Sequence, residues 1–214
     1  DPSLPESLPL SVLVGSVAEF VTHALEACAS EWSNPFSDAL ARDALATAFR
    51  SLPAAARRST DLDARGALQA AATAAGLAWS NAQLGATHAL AVALGPESDL
   101  AYGRLLGILA PYVSEFNYPS SREKFGTLSG IFGPGAGKDR SGISERLRGL
   151  WGPFGLPKTL AEAGVPREVL GARRAIVVRR ARTCTATVAN PRVPTEEEYG
   201  RLLDCAFDGT PVTF

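Results

Sequence analysis

The sequence holds only two histidines, and one of them sits four residues after a carboxylate, in Glu19-Phe20-Val21-Thr22-His23. On a helix that spacing projects both side chains from one face, a geometry that can chelate a metal ion. The second histidine, His88, lies in the Ala-rich stretch Leu84-Gly85-Ala86-Thr87-His88-Ala89-Leu90. From a facing helix it would complete a set of two imidazoles and one carboxylate, which suits divalent iron or zinc with open coordination positions. The spacing alone leaves two plainer alternatives open, a surface ion pair for Glu19 and His23 and a hydrogen-bonded core residue for His88.

Other motifs carry less. Gly133-Pro134-Gly135-Ala136-Gly137-Lys138-Asp139 lacks the features of a phosphate-binding loop. Phe132 stands where the leading glycine is needed, Asp139 where Ser or Thr must follow Gly-Lys, and no strand precedes, so a flexible helix–helix connection is expected. Cys28, Cys184 and Cys205 are odd in number and form no Cys-x-x-Cys pair, which excludes a disulfide framework or zinc knuckle and fits a reducing cytosol. With 20% charged residues and a net charge of −1, the chain offers no field for nucleic acid. The most apolar stretch, 8–28, is interrupted by Pro9, Gly15, Glu19 and His23, so no membrane span is expected. The sequence lacks methionine and starts at Asp1, so a segment upstream is expected.

Whatever chemistry these residues do, helices must position them. Apolar residues recur at three- and four-residue spacing nearly throughout, and 46% hydrophobic content over 214 residues supports one sizeable domain, 1–214. The period predicts an all-α, compact bundle of eight or nine helices, near 8–30, 36–51, 61–79, 82–95, 99–116, 121–131, 141–151, 167–182 and 195–207. Asn34-Pro35 opens the second and Pro53 is expected to close it, while Thr195 with Glu198 reads as a capping box for the last. Gly76, Gly85 and Gly95 are expected to let helices approach closely. Arg173-Arg174 and Arg179-Arg180-Ala181-Arg182 form a basic stripe, expected to be a solvated face or docking surface.

Several segments together resemble one family. Glu19-x-x-x-His23-Ala24-Leu25-Glu26-Ala27, Asn34-Pro35-Phe36-Ser37-Asp38-Ala39-Leu40, the run Gly76-Leu77-Ala78-Trp79-Ser80-Asn81-Ala82-Gln83-Leu84-Gly85-Ala86-Thr87-His88-Ala89, Gly155-Leu156-Pro157 through Gly164-Val165-Pro166, and Asn190-Pro191-Arg192 are similar to the C-terminal helical half of the iron-dependent (group III) alcohol dehydrogenases. Ala206-Phe207-Asp208-Gly209 leans toward the maleylacetate reductase branch. The resemblance covers essentially the whole chain. It implies the metal-binding half of a dehydroquinate synthase-like two-domain fold. In that family an Asp and a His of the first helix, a second His and a third His fourteen residues on hold one divalent iron or zinc. The metal polarises a substrate carbonyl while a nicotinamide delivers hydride.

Carried over residue by residue, the resemblance assigns metal ligation to Glu19, His23, His88 and Tyr102, and a place near the substrate pocket to Trp79. Val92 stands where the family has a proton-relaying histidine, so no catalytic residue is assigned. Tyr102 replaces an imidazole with a phenol whose ordinary pKa is near 10, and which binds as phenolate only to a strongly acidic ion such as ferric iron. The sequence has no strand–glycine–helix unit, so NAD(P) is expected to bind only through an absent nucleotide-binding domain or partner chain. The expected activity is one half of an oxidoreductase acting on a small aldehyde, ketone or keto acid, with a homodimer among the expected assemblies. The alternatives are a scaffold that has lost redox chemistry and a repurposed metal site using Tyr102.

Overall fold

The computed structural model describes residues 1–133 and 138–214, with the backbone alone at Val169. Among them it forms ten α-helices: α1 (Leu10–Ala29), α2 (Pro35–Arg57), α3 (Leu62–Ala82), α4 (Ala86–Leu94), α5 (Tyr102–Gly126), α6 (Ser129–Phe132), α7 (Ser141–Trp151), α8 (Arg167–Ala172), α9 (Arg174–Thr183) and α10 (Glu196–Asp208). The all-helical bundle expected from the period is present. Residues 134–137 of the glycine-rich connection lie outside the described residues.

Helix α1 runs through the middle, packing against α2, α3 and α5. By length and hydropathy it would suffice to cross a membrane, but 78% of its apolar window is buried inside the bundle, the pattern of a core helix. The caps form as the sequence implies. Asn34 accepts from the backbone of Phe36 and Ser37 at the start of α2, and Thr195 and Glu198 make a reciprocal capping box on α10.

Three boundaries differ from expectation. Pro53 does not end α2, which continues through it to Arg57. Residues 99–131 are not two comparable helices; α5 passes through Pro111 and Pro119, and only the four-residue α6 follows. Proline removes one donor and crowds the carbonyl four residues earlier, so it ends a helix only where packing does not hold the next turn. At Pro119 the freed carbonyl is that of Glu115, and Arg140 donates to it at 3.5 Å. The expected 167–182 helix is divided at Arg173 into α8 and α9.

Of Gly76, Gly85 and Gly95, only Gly85 sits at a close approach, and Gly103 and Gly107 do the same work elsewhere. A Cβ at Gly103 on α5 would fall onto the Gly15 carbonyl of α1, and one at Gly107 would come within 2.9 Å of Ala18 and 2.7 Å of Leu156. The α1–α5 crossing is therefore set by Gly103 and Gly107, whose missing side chains let α5 meet the Gly15 backbone and Ala18. Gly76 and Gly95 meet nothing within 4 Å. Gly76→Ala in the middle of α3 is therefore expected to stabilise the fold by about 0.5–1 kcal/mol, through reduced chain entropy in the unfolded state. A urea titration with unchanged slope and a higher midpoint is the expected result, and a lower midpoint would contradict it.

Much of the basic stripe is paired. Arg174 grips both oxygens of Asp204, while Arg173 and Arg180 both reach Glu97. All three cysteines are free.

Candidate metal and substrate site

The site is built where α1 passes the start of α4. Helix α3 stops at Gln83, whose φ of +65° turns the chain, and Gly85 enters α4 in extended conformation. The first backbone N–H groups of a helix have no partner within it. Here they find partners on other elements. Gly85 N–H donates to Glu26 Oε2 and Thr87 N–H to Glu26 Oε1, each at 2.7 Å, while Ala86 N–H donates to Asn190 Oδ1 at 3.0 Å. Asn190 is itself held by paired amide bonds with Asn117 of α5. A carboxylate at a helix N-terminus also meets the positive end of the helix dipole.

Glu26 is 5% exposed and carries a further bond, 2.5 Å from its Oε2 to Nδ1 of His88, which is 1% exposed. Burial pushes the Glu26 carboxyl up, but His88 and the N–H groups of Thr87 and Gly85 outweigh it and hold it below the ordinary range. The other ring nitrogen, His88 Nε2, is buried with no hydrogen-bond partner.

Around His88 the rings form a chain. His23 stacks on it, with centroids 4.7 Å apart and planes 13° from parallel, and Trp79 lies 5.8 Å beyond His23. The Tyr102 ring meets His88 edge-on at 6.1 Å. Burial, with His88 next, lowers the His23 pKa to about 4, so its imidazole is neutral near pH 7. Burial first, and then the charges of Glu26 and Glu19, push the Tyr102 phenol well above its ordinary value. It is an O–H group here.

Four of the residues singled out in the sequence, His23, Trp79, His88 and Tyr102, therefore meet. Glu19, half-buried one turn before His23, lines with Tyr102, Asp99 and Arg104 a neighbouring cavity of about 600 Å³. Val92 is 53% exposed on α4. A larger cavity, about 880 Å³, lies between Phe49, Arg57 and Phe154 and contains none of these residues.

Tested against a metal ion, the donors fit in part. An orphaned Nε2, a carboxylate behind Nδ1 and a second imidazole beside it are features of a metal-binding histidine. Yet among the described residues no group of three or more His, Cys, Asp and Glu side chains is placed to hold an ion. The full ligand set is not assembled.

Sequence reasoning missed Glu26 and Asn190, which bind the site from behind. Glu26 stands alone among Ala24, Leu25, Ala27, Cys28 and Ala29, and a lone acid in a run of core residues signals a buried carboxylate that must have donors.

Residues 14–207 match the family model described as the Fe-containing alcohol dehydrogenase family, C-terminal. The chain belongs to this family. It is 29% identical over 212 residues to the 1,3-propanediol dehydrogenase of Citrobacter freundii, covering 97% of this chain and 54% of that protein. To the NAD-dependent methanol dehydrogenase of Bacillus methanolicus it is 27% identical, covering 95% and 54%. The solved alcohol dehydrogenase from Oenococcus oeni superposes with a TM-score of 0.89 at 26% identity, over 97% of this chain and 54% of that one. Maleylacetate reductase from Rhizobium shares the fold, with a TM-score of 0.84 at 23% identity, over 99% and 57%. The chain thus spans about half the length of the relatives it matches.

Proposed function

We propose that this chain is the helical, metal-site half of an NAD(P)-dependent oxidoreductase of the cytosol, acting on a small aldehyde, ketone or keto acid. A nucleotide-binding half, on the same polypeptide or a partner, completes it. The observation that carries this reading is the buried, unpartnered Nε2 of His88, backed by Glu26 and ringed by His23, Tyr102 and Trp79. A buried ring nitrogen so placed is open to a ligand that binds there. In this reading His23 and His88 are the principal metal donors, Glu19 closes the set from its neighbouring cavity, and Trp79 borders the substrate.

The test is to express the chain together with the coding sequence that precedes Asp1. Oxidation of NADH or NADPH with a panel of small carbonyl compounds, lost in His88→Ala, is expected. No turnover with either nicotinamide after ferrous or zinc supplementation would overturn the reading. The 214-residue chain by itself is expected to bind neither NADH nor NADPH, because phosphate cradling needs a glycine-rich strand–loop–helix turn that its sequence lacks. Micromolar binding by calorimetry would contradict that.

A second reading, a scaffold that has lost redox chemistry, is favoured by the incomplete donor set together with Val92 and Tyr102. Metal content of the purified protein separates the two.

A further inference from the structure

We propose that Glu26 is a positioning residue that fixes the neutral His88 ring in the Nδ1–H tautomer and thereby keeps a bare lone pair on Nε2. The proposal rests on the reading above only in taking His88 as the acceptor of that site.

The argument is one of donors and acceptors. An ionised carboxylate only accepts hydrogen bonds. Both Glu26 oxygens already take a backbone N–H, Oε1 from Thr87 and Oε2 from Gly85, and Oε2 lies 2.5 Å from His88 Nδ1. If Nδ1 carried a lone pair, two lone pairs would face each other at that distance with no water between them. Nδ1 must therefore be the donor. In the neutral ring, which has one N–H, Nε2 is then left bare. Among the described residues nothing satisfies it.

The carboxylate cannot swing away to release the ring. Its two backbone bonds come from the first residues of the segment that carries His88, so moving Glu26 would strip the start of α4 of two partners at once. The helix start and the tautomer share one side chain. Glutamine at this position nearly keeps the shape. Gly85 N–H and His88 Nδ1 both meet Oε2, so a glutamine oxygen at that place keeps two of the three bonds and sets only its NH₂ against the Thr87 N–H. Nδ1–H keeps its acceptor, whereas alanine at 26 removes it and frees the ring proton to move to Nε2.

The protein has two histidines, so ¹⁵N-histidine labelling gives four ring resonances, and His23→Gln identifies those of His88. In the unmodified, metal-free protein, His88 is expected to show a protonated, pyrrole-type Nδ1 and a bare, pyridine-type Nε2. Glu26→Gln is expected to keep this pattern, and Glu26→Ala to lose it. A pyrrole-type Nε2, or protons on both nitrogens, in the unmodified protein would overturn the proposal, and that measurement stands even if Glu26→Ala fails to fold. A folded Glu26→Ala protein that keeps the pattern unchanged would also overturn it. Zinc titration separates this from the functional reading. A bare Nε2 resonance that zinc leaves unmoved would sink the metal assignment and leave the tautomer assignment standing.

Discussion

Gly85→Ala is expected to destabilise the fold by about 3 kcal/mol, from the sum of overpacking and lost buried hydrogen bonds, each about 1–3 kcal/mol. The cause is steric rather than conformational. Gly85 has φ −132° and ψ −160°, extended backbone that any residue adopts. A Cβ there would lie 2.7 Å from Asn190 Oδ1 and 3.0 Å from the Glu26 carboxyl. These are the two groups that accept from the N–H groups of residues 85–87, so neither can withdraw without orphaning a buried donor. For a chain of this size the loss corresponds to a drop in Tm of roughly 6–12 °C, at about 2–4 °C per kcal/mol. Calorimetric melting checks it, with Gly76→Ala as the comparison that should move the other way. A Gly85→Ala protein that melts with the parent would mean that the clamp between α1, α4 and Asn190 is slack. His88 would then lack the fixed seat on which the site depends.

That clamp shows what the sequence discloses and what it hides. Helical period and local caps are local properties, so the all-α bundle, the start of α2 at Asn34-Pro35 and the box at Thr195 and Glu198 were legible. Pro53 was misread because a helix's response to proline depends on whether tertiary packing holds the following turn and whether another group takes the freed carbonyl, as α5 shows at Pro119. Arg140, twenty-one residues beyond Pro119, takes that of Glu115. Gly76 and Gly95 were misassigned for a related reason, whereas Gly85 does sit at a close approach. Composition shows that glycine is present, but only the α1–α5 crossing makes Gly103 indispensable and leaves Gly76 free.

At the site, the family motif marked His23, Trp79, His88 and Tyr102, and the structure brings those four rings together. It could not mark Glu26 as a partner of His88, because 62 residues separate them and the bond exists only once α1 passes the start of α4. Asn190, 104 residues from the backbone it caps, is hidden in the same way.

The unmodified protein is expected to purify with less than one equivalent of divalent metal, and Tyr102→His to bind zinc about a hundredfold more tightly, or about 2.8 kcal/mol at ~1.4 kcal/mol per decade. The Tyr102 ring already stands 6.1 Å from His88, at the first turn of α5, so the position is within the ring cluster. What it lacks is a donor of the right kind. Burial beside Glu26 and Glu19 keeps the phenol protonated, and a neutral phenol is a poor ligand for zinc or ferrous iron. Imidazole at 102 would donate a neutral nitrogen near pH 7 and raise the histidines from two to three, supplying the group of three that the described residues do not gather. His88→Ala should remove binding in both backgrounds, since it deletes the nitrogen that Glu26 orients. Elemental analysis and a competitive zinc titration read all four proteins. A full equivalent of metal in the unmodified chain, lost in Tyr102→Phe, would make the tyrosine a true ligand and favour the repurposed site. If Tyr102→His gains no metal, the stacked histidines are fixed in a geometry that no third donor can complete, and the scaffold reading takes over.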